Sequence, residues 1–171
     1  DHLALALSEL GSIAERRIYL LVSGQRGLPP FLVANPGINS GFMIPQYTAA
    51  SIASQNKQLC TPASADSIIS SNGQEDHVSM GTIAARKLGQ IVRNAENIAA
   101  MELLCAAQAI DLLKPLKASS AVQAAYEVIR SEFPFAETDR VFSKDIELIK
   151  GMIRDQRLLK AIHQSVGELE C

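Results

Sequence analysis

Tryptophan is absent, and phenylalanine and tyrosine supply only 5% of the residues, so a core has to be closed by aliphatic and small side chains. Cysteine is nearly as scarce. Cys60, Cys105 and Cys171 are odd in number and far apart, with no CxxC or other metal-ligand spacing and no disulfide framework. His2, His77 and His163 form no HExxH pattern, so a zinc site is not expected. A reduced, cytoplasmic compartment fits this cysteine usage. No apolar run reaches the length that crosses a bilayer, and no signal peptide is visible, so no membrane partner is expected. A net charge of -2 gives no electrostatic case for nucleic acid. The basic residues pair with nearby acids, as in Glu15-Arg16-Arg17, which reads as a solvated surface.

What remains is a globular composition. The chain has 171 residues, 47% of them hydrophobic and 20% charged, enough for a real core. Alanine, leucine, isoleucine and serine dominate, which favours helices packed through small side chains. Nothing alternates as a strand, and the expected fold is all-α.

In chain order, Leu3, Leu7, Leu10, Ala14, Ile18 and Leu21 recur at steps of three and four and predict a helix to about Val22. Gly24 to Ser40, with Pro29, Pro30 and Pro36, reads as an irregular connection that is functional or covered by a partner. A second helix is expected from Ile44 to about Lys57, with Pro45 in its first turn. The longest helical pattern runs over 78–113, a central helix of about 50 Å at about 1.5 Å per residue. Its apolar residues read as ordinary bundle core. Lys114-Pro115 stops it. Ser119 or Ser120 is placed to cap a helix to about Glu132, and Ser143 to begin another with a near-complete capping box. Gly151 and Asp155 are candidate breaks in the last region. The chain begins without Met inside a helical pattern, so a longer parent protein is expected.

Two polar stretches stand before helical patterns: Asn39-Ser40-Gly41-Phe42-Met43, and Ser70-Ser71-Asn72-Gly73-Gln74-Glu75-Asp76-His77. In the second, Asn72 or Ser71 followed three residues later by Glu75 or Gln74 fits a capping box, and acids at a helix start are favoured by its dipole. Capping needs two such groups, whereas eight polar residues or glycines occur in a row. Glu75 at a helix start would have its pKa lowered by the dipole and raised again by burial, so the residues alone leave cap and catalyst both open. His77 follows as a hydrogen-bonding group behind it or as a structural histidine.

Five ordered motifs carry a resemblance: Ala14-Glu15-Arg16-Arg17, Leu28-Pro29-Pro30-Phe31-Leu32, Asn39-Ser40-Gly41-Phe42-Met43-Ile44, Pro62-Ala63-Ser64-Ala65-Asp66-Ser67, and Gln74-Glu75-Asp76-His77-Val78-Ser79-Met80. Together they resemble the C-terminal part of the histidine ammonia-lyases, within the aromatic amino acid ammonia-lyase and aminomutase family, from Asp1 to about Ile146. The resemblance implies that 1–171 is the C-terminal helical segment of a larger, mostly helical lyase that eliminates ammonia from L-histidine to give trans-urocanate. It implies Glu75 as the catalytic residue, accepting the β-proton or holding the substrate, and Met43 at the substrate's imidazole end. Gln74, Asp76 and His77 fall in the same motif without individual roles. It also implies a homotetramer with a central bundle of long helices, and a methylidene-imidazolone electrophile cyclised from an Ala-Ser-Gly.

That tripeptide is not in this sequence, whose Ser-Gly pairs are Val22-Ser23-Gly24 and Asn39-Ser40-Gly41. The cofactor-forming N-terminal part of the lyase is therefore an expected partner, and the segment alone is expected to be inactive. The alternatives are a tyrosine or phenylalanine lyase or aminomutase of the same family, and a non-catalytic helical oligomerisation module. Glu75 favours histidine, because aromatic-specific members usually carry Gln there.

Overall fold

The computed structural model describes residues 1–169, so Cys171 lies outside the described residues. Among them are six α-helices: α1 His2–Val22, α2 Met43–Leu59, α3 Gly81–Leu112, α4 Ser120–Glu132, α5 Ser143–Arg154 and α6 Arg157–Val166. Two single 3-10 turns, Ala63–Ala65 and Ser71–Gly73, punctuate the connection from α2 to α3, and no strand is present among the described residues. The all-α expectation holds.

α3 is the axis. Its buried residues Ile91, Asn94, Ile98, Met101, Cys105 and Gln108 recur at steps of three and four, one stripe facing the neighbours. α1 and α2 pack on it and on each other, α5 lies on another part of its surface, and α4 pairs with α6. α1 approaches closely because its inward positions are small. A Cβ at Gly11 would stand 3.2 Å from both Asn56 Nδ2 and Ile98 Cδ1. At the far end, Asp111 of α3 accepts hydrogen bonds from Tyr126 (2.6 Å) and Arg130 Nε (2.7 Å) of α4, which fastens the two helices.

The long helix is shorter than the predicted 78–113, and its first turns differ from the core reading. No residue before Ile91 is fully buried, and Ile83 is exposed. The bundle covers only the second part of the helix.

Three local expectations need correction. Ser119 stands at the N-cap of α4 and Ser143 is the first residue of α5, yet neither helix has a side-chain cap hydrogen bond. Gly151 lies inside α5, and the break falls at Asp155 and the left-handed Gln156. Glu15 is not on a solvated surface: it is 4% exposed and accepts Gln46 Nε2 at 2.9 Å, linking α1 to the first turns of α2.

The Gly24–Ser40 connection is also more than a surface loop. Leu28, Leu32 and Val33 are buried, and the Phe31 N–H donates to the Val22 carbonyl at 2.9 Å. Phe31 and Leu32 take positive φ (57° and 55°), which folds the chain back so that Leu32 enters the core.

Candidate active site

Two turns carry the residues singled out from the sequence. The first is Asn39–Met43. Gly41 has φ +53°, and a Cβ there would meet the Phe31 carbonyl oxygen at 2.5 Å and Val33 Cγ1 at 2.6 Å, so only glycine fits this approach. Phe42 follows, 1% exposed, its ring centroid 4.7 Å from that of Phe142. Its N–H donates to the Phe31 carbonyl at 3.0 Å, and the Met43 N–H donates to the Ser40 carbonyl at 3.2 Å. Met43 is the first residue of α2 and is half-buried. Its backbone is thus set by contacts on both sides of the turn.

The second turn projects Glu75. The Ser70 and Glu75 backbones pair antiparallel, with Ser70 N–H to the Glu75 carbonyl at 2.9 Å. Ser71, Asn72 and Gly73 between them have φ of 52°, 56° and 85°. Consecutive non-glycine residues in this left-handed region are uncommon and cost conformational energy, which directs attention to what the turn holds. It holds the Glu75 carboxylate. Ser70 Oγ donates to Oε2 at 2.6 Å and Ser71 Oγ donates to the same oxygen at 3.2 Å. These two hydroxyls hold the Glu75 carboxyl below the usual carboxylate range, Ser70 more than Ser71. Further back, Ser67 Oγ accepts the Val78 N–H at 2.9 Å and closes the base of the loop.

This geometry changes the physical reading of the cluster. α3 begins at Gly81, so Gln74, Glu75, Asp76 and His77 lie upstream of its first turn and do not cap it. The pKa of Glu75 is lowered by neighbouring hydroxyls, not by a helix end. Gln74, Glu75, Asp76 and His77 are all exposed. His77 lines a cleft of about 460 Å³ with Asp1, Asp66, Met80 and Gly81, and Glu75 is not part of that lining. Met43 and Glu75 share neither a hydrogen bond nor this cleft. Each turn is formed, and no hydrogen bond among the described residues joins the two.

Three residues were missed from the sequence. Asp139 accepts the Ser40 and Gly41 N–H groups at 2.9 and 2.7 Å, spanning nearly a hundred residues. Gln108 is fully buried and bonds both Leu32 and Ala136. Glu15 bonds Gln46 of α2, near Met43. Of the three, only Glu15 stands in a motif singled out from the sequence, Ala14-Glu15-Arg16-Arg17, and there it reads as solvated surface.

Neither Ser-Gly pair suits cyclisation to an imidazolone of the Ala-Ser-Gly type. Each lacks the alanine, and Gly24 and Gly41 are both committed to positive-φ turns (φ 73° and 53°). The residues present do not supply that group. No cluster of three or more His, Cys, Asp or Glu suited to a metal occurs among the described residues.

The family profile of aromatic amino acid lyases matches residues 1–131, and the chain belongs to that family. Within it, the chain is similar to histidine ammonia-lyases. It is 49% identical over 172 aligned positions to the histidine ammonia-lyase of Natranaerobius thermophilus, covering 99% of this chain and 34% of the relative. The crystal structure of histidine ammonia-lyase from Trypanosoma cruzi superposes with a TM-score of 0.90 at 47% identity, over 96% of this chain and 33% of that one. Tyrosine aminomutase from Streptomyces globisporus superposes with a TM-score of 0.91 at 36% identity, over 97% and 32%. The chain therefore spans about a third of the length of the relatives it matches.

Proposed function

We propose that this chain is the C-terminal third of a histidine ammonia-lyase and contributes Glu75 and Met43 to its active site. The observation that carries the reading is Glu75: a carboxyl fixed by two serine hydroxyls that lower its pKa, on a turn of left-handed residues, inside the Gln74-Glu75-Asp76-His77 motif. The reaction breaks the Cα–N bond and a β C–H bond of L-histidine and forms the double bond of trans-urocanate, releasing ammonia and a proton. Both hydroxyls reach Oε2, so Oε1 stays available to accept that proton or to bind the substrate's amino or imidazole group. Met43 is an apolar wall for the imidazole end, its backbone set by the Asn39–Phe42 turn.

The difficulty of removing a weakly acidic β-proton is shared between a positioned base and an electrophile. In the parent enzyme the electrophile would be a methylidene-imidazolone, which activates the substrate for elimination and would come from the N-terminal part. Assembly with that part and into a homotetramer would bring the two turns together, and the segment alone would be inactive. A cytoplasmic location belongs to the same proposal.

The runner-up is an aromatic lyase or aminomutase, which the superposition on tyrosine aminomutase supports. Glu75 and the similarity to histidine enzymes favour histidine. The deciding assay is urocanate formation from L-histidine by the full-length protein, with L-tyrosine and L-phenylalanine as competitors. Glu75→Gln should reduce turnover by about 10²–10⁴-fold with oligomer size unchanged. Turnover within a few-fold of the parent would leave Glu75 no catalytic role, and no turnover of any of the three substrates would favour a helical oligomerisation module.

A further inference from the structure

Asp139 lies beyond the 1–131 span matched by the family profile, in the connection before α5. Its side chain nevertheless reaches back to the turn that presents Met43. Oδ2 accepts the Ser40 N–H at 2.9 Å and Oδ1 accepts the Gly41 N–H at 2.7 Å. In return, the Asp139 N–H donates to Asn39 Oδ1 at 3.4 Å. Two successive backbone N–H groups on one carboxylate form a small anion-binding concavity, and each bond is charge-assisted.

Ser40 and Gly41 are also the residues whose carbonyl and left-handed φ set the start of α2. A few residues on from Asp139, the Phe142 ring packs against Phe42 at an interplanar angle of 42°, so one segment grips the turn by charge and by packing. Its other end is held by Gln108, which exchanges hydrogen bonds with Ala136. The segment is therefore anchored to α3, not free to follow the turn.

We propose that Asp139 is a positioning residue of the active site: it fixes the Asn39–Met43 turn and thereby the wall that Met43 offers the substrate. The inference rests on the reading of Met43 as a substrate-lining residue. Asp139 acts through the backbone of Ser40 and Gly41 and takes no part in the chemistry. Its effect should fall on substrate binding, since losing apolar contact with a pocket wall is worth about 10–100-fold.

The test uses the full-length enzyme. Asp139→Ala should raise KM for L-histidine about 10–100-fold and leave kcat within about three-fold. Asp139→Asn, which keeps one acceptor oxygen, should fall between it and the parent, and it takes the place of Asp139→Ala if that variant does not fold. The decisive readout is coupling: in a Met43→Ala background, the Asp139 substitution should change KM by no more than about two-fold. Additive effects, or a folded Asp139 variant with unchanged KM, would overturn the proposal. A parent enzyme that does not deaminate histidine at all would instead overturn the functional reading, so the two failures are distinguishable.

Discussion

Gln108 and Ala136 hold each other by two hydrogen bonds: Nε2 donates to the Ala136 carbonyl at 2.8 Å, and the Ala136 N–H donates to Oε1 at 3.1 Å. The amide thus pairs with a backbone as a strand would. Nε2 also donates to the Leu32 carbonyl at 3.2 Å, and Arg130 Nη2 donates to Oε1 at 3.3 Å. One fully buried side chain joins α3, the Gly24–Ser40 connection, α4 and the segment before α5.

Gln108→Leu should therefore be costly although it is nearly isosteric and more apolar. It leaves buried Ala136 and Leu32 groups without partners, at about 1–3 kcal/mol for each unsatisfied group. With three such groups, a total loss of about 3 kcal/mol or more is expected, read as a lower denaturation midpoint with unchanged m-value. A loss below about 0.5 kcal/mol would mean that the segments are held by packing alone.

Gly41→Ala should destabilise by about 2 kcal/mol or more, because the new Cβ meets the Phe31 carbonyl in a left-handed conformation. Gly27→Ala, also at positive φ (80°) but with nothing within 4 Å, supplies the control. It should cost about 1 kcal/mol. Equal midpoints for the two variants would show that the close approach at Gly41 does not matter.

The pH dependence of turnover should report the Ser70 and Ser71 hydroxyls. They lower the pKa of Glu75, so the carboxylate stays charged further into acid than an ordinary glutamate. Replacing both with Ala raises that pKa. Near neutral pH the charge is unchanged, while the acidic limb of kcat/KM should move to higher pH. An unshifted limb in the double variant would dissociate the hydroxyls from the ionisation that governs catalysis.

The isolated segment should self-associate. Leu3, Leu10 and Ile13 of α1, Ile44 and Tyr47 of α2, and Ile83 of α3 are all exposed large apolar side chains. Such surfaces are normally covered. Sedimentation of the 171-residue chain checks this, and a monodisperse monomer with cooperative unfolding would contradict it.

Much of the secondary structure was legible because helix periodicity is local. The helical pattern over 78–113 and the breaks at Gly24 and Pro115 follow from spacing and backbone chemistry. The candidate site was legible only as motifs. Glu75 and Met43 could be singled out, but the reason for the low pKa of Glu75 could not, since it depends on Ser71 and Asn72 adopting left-handed φ. Capping fits the sequence because the polar cluster precedes a helical pattern. In space, the turn at 70–75 folds on itself, and α3 starts only at Gly81.

The sequence by itself determined an all-α chain with a long central helix, and membership in a lyase family through ordered motifs. Local propensity and pattern suffice for the first, while the second rests on the resemblance that the ordered motifs carry. Only the tertiary structure decided that Glu15 is buried, that Gln108 ties four segments together, and that Asp139 holds the turn before Met43. Those pairings span 31, 28 and about a hundred residues along the chain. Hydrogen bonds of that kind are made when packing brings distant backbone and side-chain groups within 3 Å, and no local spacing encodes them.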